Sequence, residues 1–275
     1  MTEGTITILR SAIAASVLGA GIMVGSPIQG GDNPHQLQAN ITNDPVKSTP
    51  VKQARKYAPN YPIELVHMSI PDRKQSFMEL VIPAIENAHN DILRDRRTIL
   101  KILHKNNLSK KDQEFLRQKM DEYGVKKNSD FSELLKHVDI VPASMAVAQA
   151  ALESGWGASR LAQKTNGIFG QKGKNQCAIE ATDGGTHPCF DSFEDSVLAY
   201  MNNLNTNPSY REFREERHAM RKAKGENSSL DGYSLMGTLT RYSIRKEEYI
   251  EQIRGFMKSN GFLAFDNSIK LPSIN

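Results

Sequence analysis

The sequence contains few of the residues from which metal and cofactor sites are built. Its 275 residues include two cysteines, and its histidines form no recognisable cluster. Cys177, His187 and Cys189 lack the fourth ligand and the short cysteine spacing of a zinc site. No P-loop, dinucleotide-binding fingerprint or nucleophile elbow occurs. We therefore expect neither a metal nor a cofactor.

An excess of charge of one sign is also missing. Lysine and arginine total 35 against 31 acidic residues, which gives a net charge of +4 and a pI of about 8.9. Because basic and acidic residues alternate, the sequence lacks a nucleic-acid footprint, and we expect no nucleic-acid partner. The stretch from Arg211 to Lys224 has this mixed character, which predicts a solvated helix face.

Long hydrophobic runs are missing except near the N-terminus. The apolar run from Ala12 to Val24 is uncharged, and no charge follows Arg10 until Asp32. Its length suits the core of a signal peptide and is short for a transmembrane helix of about 20 residues. Residues 1–26 are therefore predicted to be an export signal, either cleaved or kept as a membrane anchor. Pro27 makes a poor cleavage context, and a buried core helix is the remaining alternative.

The rest of the chain divides by its proline content and its periodicity. Prolines are frequent in residues 27–70, which we interpret as an irregular lead-in. Apolar residues three or four apart then predict a helical hairpin between residues 72 and 124, in which Pro83 kinks the first helix or marks its first turns. We assign 71–130 to a helical accessory region and 131–275 to the main domain.

The stretch "AQAALESGWGASRLAQKTNGIFGQ", residues 148 to 171, contains the most specific chemistry. A helix that begins near Val141 and Pro142 has small alanines that allow close packing, and it ends at Glu153. The negative end of the helix dipole there raises the pKa of a carboxyl group, and Trp156 adds desolvation. A carboxylic acid that stays protonated near neutral pH suits glycoside hydrolysis. The alternative is an exposed glutamate at a helix end.

This stretch resembles the signature of bacterial peptidoglycan β-N-acetylglucosaminidases of the flagellar and autolysin type. The stretches "FDSFEDSVLAYMNNLNTNPSYREFR" and "YSIRKEEYIEQIR" also resemble the Bax-type branch of that group. The resemblance extends from about Phe77 to the C-terminus. It implies a mainly α, lysozyme-like helical lobe with a small β-hairpin flap, preceded by the helical hairpin.

The resemblance also assigns roles to individual residues. Glu153 matches the catalytic acid, and Tyr242 matches a tyrosine whose hydroxyl faces that acid, although Ser243 and Ile244 depart from the motif that follows it. For Trp156, packing behind Glu153 and stacking on a sugar both stay open. The positions that match the sugar-binding cleft are Trp156, Asn166, Phe169, Gly170 and Gln171.

A second catalytic carboxylate would come from the predicted flap. The acidic residues there are Glu180 and Asp183, with Asp191 and Glu194 just beyond. Asp183 begins a hairpin turn signal, so Glu180 projects from a strand and is our first choice. The alternative is that the N-acetyl group of the substrate acts as the nucleophile.

Cys177 and Cys189 flank the predicted hairpin. In an exported chain, two cysteines in these positions favour a disulfide over free thiols. In the chain-entropy model, closing a loop of this size contributes roughly 3 kcal/mol. We therefore predict a bridge that restrains the flap.

Together these features predict an exported peptidoglycan hydrolase that cuts the β-1,4 bond after N-acetylglucosamine. Glycan strands would be its partner, and its location would be the periplasm or the inner membrane facing the periplasm. Two alternatives stay open. The first is a muramidase or lytic transglycosylase that cuts after N-acetylmuramic acid, and the second is a non-catalytic glycan-binding protein of the cell envelope.

Overall fold

The computed structural model describes residues 61–173, 179–180 and 185–267, and at 179–180 it describes the backbone. This part of the chain is mainly α-helical and carries one short β-hairpin, which confirms the predicted fold class. The helices are α1 (Glu64–His67), α2 (Ile70–Leu103), α3 (Lys110–Glu122), α4 (Leu134–His137), α5 (Ala143–Ser154), α6 (Arg160–Thr165), α7 (Phe193–Thr206), α8 (Arg211–Lys224), α9 (Gly232–Met236) and α10 (Glu247–Ser259). Short 3-10 turns are Phe131–Glu133, Pro208–Tyr210 and Phe262–Asn267.

The predicted export signal and most of the lead-in lie outside the described residues. Among the residues that the structure does describe, no helix is both long and apolar enough to cross a membrane. The signal or anchor at 1–26 therefore stays a prediction.

The predicted helical hairpin is present as α2 and α3. Ser69 caps α2 by accepting the backbone N–H of Asp72, so this helix begins at residue 70 and contains Pro83 in its interior. Pro83 therefore does not mark the first turns. A capping box between Ser109 and Asp112 begins α3. Lys119 of α3 pairs with Asp95 of α2 at 2.6 Å, which joins the two legs of the hairpin.

Helix α5 lies at the centre of the molecule. It contacts α2, α9, α10 and the C-terminal 3-10 turn, and these neighbours approach closely because its alanines are small and fully buried. Pro142, at its N-cap, offers no side-chain acceptor. Asp266 of the C-terminal turn accepts the backbone N–H of Ser144 at 2.9 Å and its hydroxyl at 2.7 Å instead. The C-terminal 3-10 turn thus supplies the hydrogen-bond acceptor for the N-terminus of α5, the helix whose last turn carries Glu153.

The hydrophobic core includes residues from both sides of the predicted boundary at 130/131. Side chains of α2, such as Phe77 and Val81, belong to the same buried cluster as α5, α7 and α10. The accessory region therefore packs against the main domain, and the boundary between 71–130 and 131–275 stays a prediction.

The predicted flap is an antiparallel pair of strands, β1 (Ile179–Glu180) and β2 (Thr186–His187). In its register Ile179 lies opposite His187 and Glu180 lies opposite Thr186. The Asp183 turn and Cys177 lie outside the described residues. Cys189 is buried, and its bridge to Cys177 stays a prediction.

The prediction of a solvated face on α8 is wrong for three of its arginines. Arg214, Arg217 and Arg221 are all buried. Arg221 makes a two-point pair with Asp139, with both N···O distances at 2.9 Å. Arg217 donates to the carbonyl groups of Asp139 and Ile140, and Arg214 donates to those of Leu204 and Asn207. Their five-donor guanidinium groups satisfy carbonyls at helix ends and turns that would otherwise be buried without partners.

Candidate active site

Glu153 lies in the last turn of α5 and its side chain is half-buried. Burial disfavours the carboxylate and raises the pKa of Glu153 to about 8, while a hydrogen bond from Tyr249 acts in the opposite direction. The predicted increase in the pKa of Glu153 is therefore confirmed, with desolvation as its main cause. At neutral pH the carboxyl group is mostly protonated.

A chain of hydrogen bonds leads into the Glu153 carboxyl group. Tyr249 of α10 donates its hydroxyl to Glu153 Oε1 at 2.8 Å. Gln149, one turn before Glu153 on α5, donates its Nε2 to the Tyr249 oxygen at 2.9 Å. Tyr200 of α7 donates to Gln149 Oε1 at 2.6 Å. Three helices therefore hold the acid in place through fully buried side chains.

Tyr242, the tyrosine that the sequence predicted to face the acid, lies beside this chain. Its ring stacks on the ring of Tyr249, with centroids 5.6 Å apart and planes 9° apart. Its hydroxyl donates to the carbonyl of Phe169 at 3.0 Å. The hydroxyl that bonds to Glu153 thus belongs to Tyr249, which our sequence analysis did not single out. A catalytic role for Tyr242 stays a prediction.

The loop that follows α6 lies beside Glu153. Asn166 ends α6 at φ 53° and donates to the Phe190 carbonyl at 3.0 Å. The Phe169 ring stacks on Tyr200 with centroids 4.0 Å apart. Both side chains are fully buried, so in this structure they hold the loop. Their predicted contacts with sugar stay untested.

Gly170 is the residue of this loop that reaches the acid. It has φ +61°, and a Cβ atom built there would lie 3.2 Å from Glu153 Oε2. A glycine thus meets two demands here, a left-handed backbone and space beside one carboxyl oxygen. The two oxygens of Glu153 therefore differ, because Oε1 bonds to Tyr249 and Oε2 faces the Gly170 backbone.

Gln171 connects the loop to the flap. Its carbonyl accepts a hydrogen bond from Nδ1 of His187, on strand β2, at 2.9 Å. Its side-chain oxygen lies 3.5 Å from the hydroxyl of Ser196. The Gln171 side chain is buried. Through the hydrogen bond that its carbonyl accepts from His187, the Gln171 backbone joins strand β2 of the flap to the loop that carries Gly170.

Trp156 packs into an aromatic cluster. The centroid of its ring lies 5.9 Å from that of Phe77, 5.7 Å from Phe256 and 6.1 Å from Phe262. The ammonium of Lys74 lies 4.9 Å from the ring centroid. These contacts favour the packing role over sugar stacking. The ring anchors the turn after α5 to α2, α10 and the C-terminal 3-10 turn.

That turn has a left-handed backbone at three successive positions. Gly155, Trp156 and Gly157 have φ values of 58°, 59° and 78°. Ser154 accepts the backbone N–H of Gly157 at 2.8 Å, and Tyr61 donates to the Gly157 carbonyl. A Cβ at Gly157 would lie 2.8 Å from a methyl carbon of Leu65. The Ser-Gly-Trp-Gly sequence thus ends α5 directly after the acid.

Among the described residues, no candidate for a second carboxylate contacts Glu153. The backbone of Glu180 belongs to β1, but its side chain and Asp183 lie outside the described residues. Asp191 is exposed, and the exposed Glu194 accepts from Asn87 at 3.2 Å. Within the described ranges, no group of three or more histidine, cysteine or acidic residues could hold a metal ion.

Comparison with known proteins agrees with this site. The glucosaminidase family model, described as mannosyl-glycoprotein endo-beta-N-acetylglucosaminidase, matches residues 128–262. Protein bax of Escherichia coli (strain K12) is 33% identical over 203 residues, which is 70% of this chain and 70% of that protein. No solved structure matches the chain. The chain therefore belongs to the Bax-type proteins that carry a glucosaminidase domain, which is a glycoside hydrolase domain.

Proposed function

We propose that this protein is a peptidoglycan hydrolase that cleaves the β-1,4 bond after N-acetylglucosamine, with Glu153 as the general acid. The observation that supports this proposal is the desolvated Glu153 carboxyl group, whose pKa of about 8 leaves it protonated at neutral pH. Departure of the sugar oxygen requires such a proton donor.

In this mechanism Glu153 gives its proton to the glycosidic oxygen as the bond to the anomeric carbon breaks. The resulting carboxylate keeps the hydrogen bond from Tyr249, which stabilises its charge. The same carboxylate then removes a proton from the attacking water, so Glu153 acts first as acid and then as base.

The positive charge that develops at the anomeric carbon requires a second group. We propose two sources for it, the Glu180 carboxylate of the flap and the N-acetyl group of the substrate itself. A Glu180→Gln variant separates them. If Glu180 is the nucleophile, this variant loses activity as severely as Glu153→Gln does, and if the substrate group acts, Glu180→Gln retains most of it.

The bond that is cut is tested with purified peptidoglycan and mass spectrometry of the released fragments. Fragments with N-acetylglucosamine at the reducing end support the proposal. Muramic or anhydromuramic ends would instead establish a muramidase or a lytic transglycosylase, which also use a glutamate at a helix end. Binding to glycan strands without any release would indicate a non-catalytic envelope protein.

We further propose that residues 1–26 direct the chain out of the cytoplasm, so that it acts in the periplasm or on the inner membrane. The support is the uncharged apolar run in that segment, together with a substrate that lies outside the cytoplasm. Fractionation of cells, followed by N-terminal sequencing of the purified protein, tests export and cleavage together. Protein found in the cytosol would contradict this proposal.

A further inference from the structure

The hydrogen-bond chain that ends at Glu153 has a direction. Each member donates to the next along the series Tyr200, Gln149, Tyr249 and Glu153, with donor–acceptor distances of 2.6, 2.9 and 2.8 Å. A neutral glutamic acid has one oxygen that carries the proton and one that accepts hydrogen bonds. The direction of this chain therefore bears on which oxygen of Glu153 carries the acidic proton.

Gln149 determines the direction at Tyr249. An amide nitrogen only donates, so the Tyr249 oxygen accepts a hydrogen bond from Gln149 and directs its own hydroxyl hydrogen elsewhere. Glu153 Oε1 is the acceptor for that hydrogen. If Oε1 carried the acidic proton, two hydrogens would point at each other or Tyr249 would give up its donor bond.

Tyr200 determines the orientation of the Gln149 amide in turn, because in the reversed orientation its buried hydroxyl would have no hydrogen-bond acceptor among the described residues. Its hydroxyl donates to Gln149 Oε1, which leaves the amide nitrogen directed at Tyr249. Burial raises the pKa of Tyr200 well above its usual value, so this hydroxyl keeps its proton. Its ring is held by stacking on Phe169, with planes 7° apart.

We infer that Gln149 is a positioning residue that sets the donor direction of Tyr249 and thereby places the acidic proton of Glu153 on Oε2. The inference rests on the proposed role of Glu153 as general acid. Oε2 is the oxygen that faces the backbone of Gly170. The glycosidic oxygen of the substrate therefore approaches from the Gly170 side, and Oε1 remains on the side of Tyr249.

The variant Gln149→Met tests this inference because it keeps the approximate side-chain length and removes both the donor and the acceptor. The Tyr249 oxygen is then free to accept a hydrogen bond from a protonated Oε1 of Glu153, which stabilises the neutral acid in the unproductive arrangement. We expect kcat to fall about tenfold with little change in KM. The pH at which activity declines on the alkaline side rises, because the neutral form of Glu153 is favoured.

The titratable groups that interact electrostatically with Glu153 are the hydroxyls of Tyr200, Tyr242 and Tyr249. All three keep their protons near neutral pH because burial raises their pKa well above the usual value. A shift of the alkaline limb in Gln149→Met therefore reports on Glu153. Tyr210→Phe is the matched control, since it removes a buried hydroxyl from a ring that packs on Tyr242, and that hydroxyl bonds to Asn203 and to no member of the chain.

A second readout does not depend on catalysis. Infrared spectroscopy of the full-length protein records the C=O stretch of protonated Glu153, which is identified by its loss in Glu153→Gln. In the wild type this carbonyl accepts the Tyr249 hydrogen bond, and we expect its band to shift to higher frequency in Gln149→Met and to stay unchanged in Tyr210→Phe. Tyr200→Phe should shift the band in the same direction by a smaller amount.

A folded Gln149→Met protein with the wild-type alkaline limb and the wild-type infrared band would overturn the inference. If Gln149→Met does not fold, an unshifted band in Tyr200→Phe would overturn it equally. A wild-type protein that releases no fragments, while its Glu153 band still shifts in Gln149→Met, would refute the proposed function. The placement of the proton would then stand on the spectroscopic result.

Discussion

The hydroxyl of Tyr249 donates to Oε1 of Glu153 at 2.8 Å, although 96 residues separate the two in sequence. This bond joins α10 to the last turn of α5. Because α10 also stacks Tyr249 on Tyr242, docking of the C-terminal helix completes the surroundings of the acid. This hydrogen bond lowers the pKa of Glu153, since it favours the charged form of the carboxyl group.

The variant Tyr249→Phe should therefore raise the pKa of Glu153 above its wild-type value of about 8. A general acid is active while it is protonated, so activity is lost as pH rises through this pKa. We expect the alkaline limb of the pH–rate profile to move to higher pH. We also expect kcat to fall about tenfold, because the carboxylate formed after proton transfer loses its donor.

Tyr210→Phe serves as its control, because it removes a hydroxyl from a ring that is equally buried. This control should leave the profile in place. An alkaline limb that moves to lower pH in Tyr249→Phe would contradict the assigned direction of the hydrogen bond.

A pair of glycine variants separates backbone strain from crowding of the acid. Gly170 and Gly124 have nearly the same φ, +61° and +65°, but a Cβ at Gly124 would meet no atom within 4 Å. Each change to alanine should cost roughly 1–2 kcal/mol of unfolding free energy, the cost of a left-handed backbone. Gly170→Ala should in addition lower kcat, because its methyl group presses on Glu153 Oε2. Equal losses of activity in the two variants would contradict the assigned role of Gly170.

Acidification should destabilise the protein through buried histidines such as His89. The carbonyl of Val141 lies 2.7 Å from His89 Nε2 and only accepts, so this nitrogen carries the proton, and buried Nδ1 has no hydrogen-bond partner among the described residues. Burial lowers the pKa of His89 from 6.5 to about 4. Below pH 6.5 the unfolded chain therefore binds a proton that the folded chain refuses, and the free energy of unfolding declines until about pH 4.

Urea unfolding at a series of pH values across this window measures the decline. His89→Gln should reduce its slope, since the titrating group is removed. A residual slope is expected because burial also lowers the pKa of His137 to about 4. An unchanged slope in His89→Gln would show that His89 does not contribute.

The predicted bridge between Cys177 and Cys189 has a direct chemical test. Peptide mapping of protein recovered from the cell envelope without reductant should yield a linked peptide that separates on reduction. Loss of the bridge should lower the unfolding free energy by roughly 3 kcal/mol in the chain-entropy model. Recovery of both cysteines as alkylated thiols from unreduced protein would contradict the prediction.

The sequence singled out Glu153 as the candidate catalytic acid because several uncommon residues surround it in a fixed order. It also predicted the hairpin of α2 and α3, since capping residues and apolar spacing are local signals. Tyr249 was missed because its partner lies 96 residues away and its spacing in α10 is typical of a core tyrosine. Burial at the site could not be predicted from local signals either, and it places Asn166 and Phe169 inside the loop that they support.

The arginines of α8 show a second limit of prediction from sequence. Mixed charge usually indicates a solvated face, and only the positions of Arg214, Arg217 and Arg221 at intervals of three and four residues distinguished a shared side of the helix. Their partners are an aspartate and backbone carbonyls from distant segments. Such carbonyl acceptors carry no signature in side-chain composition.

Release of soluble fragments from purified peptidoglycan by the full-length protein and by Glu153→Gln tests the central claim most directly. The amide keeps the size of the side chain but cannot supply the proton, and circular dichroism and thermal unfolding confirm that both proteins are folded. We predict that the wild type releases fragments and that Glu153→Gln is at least about a hundredfold slower. Equal release by a folded Glu153→Gln protein would show that Glu153 is not the general acid.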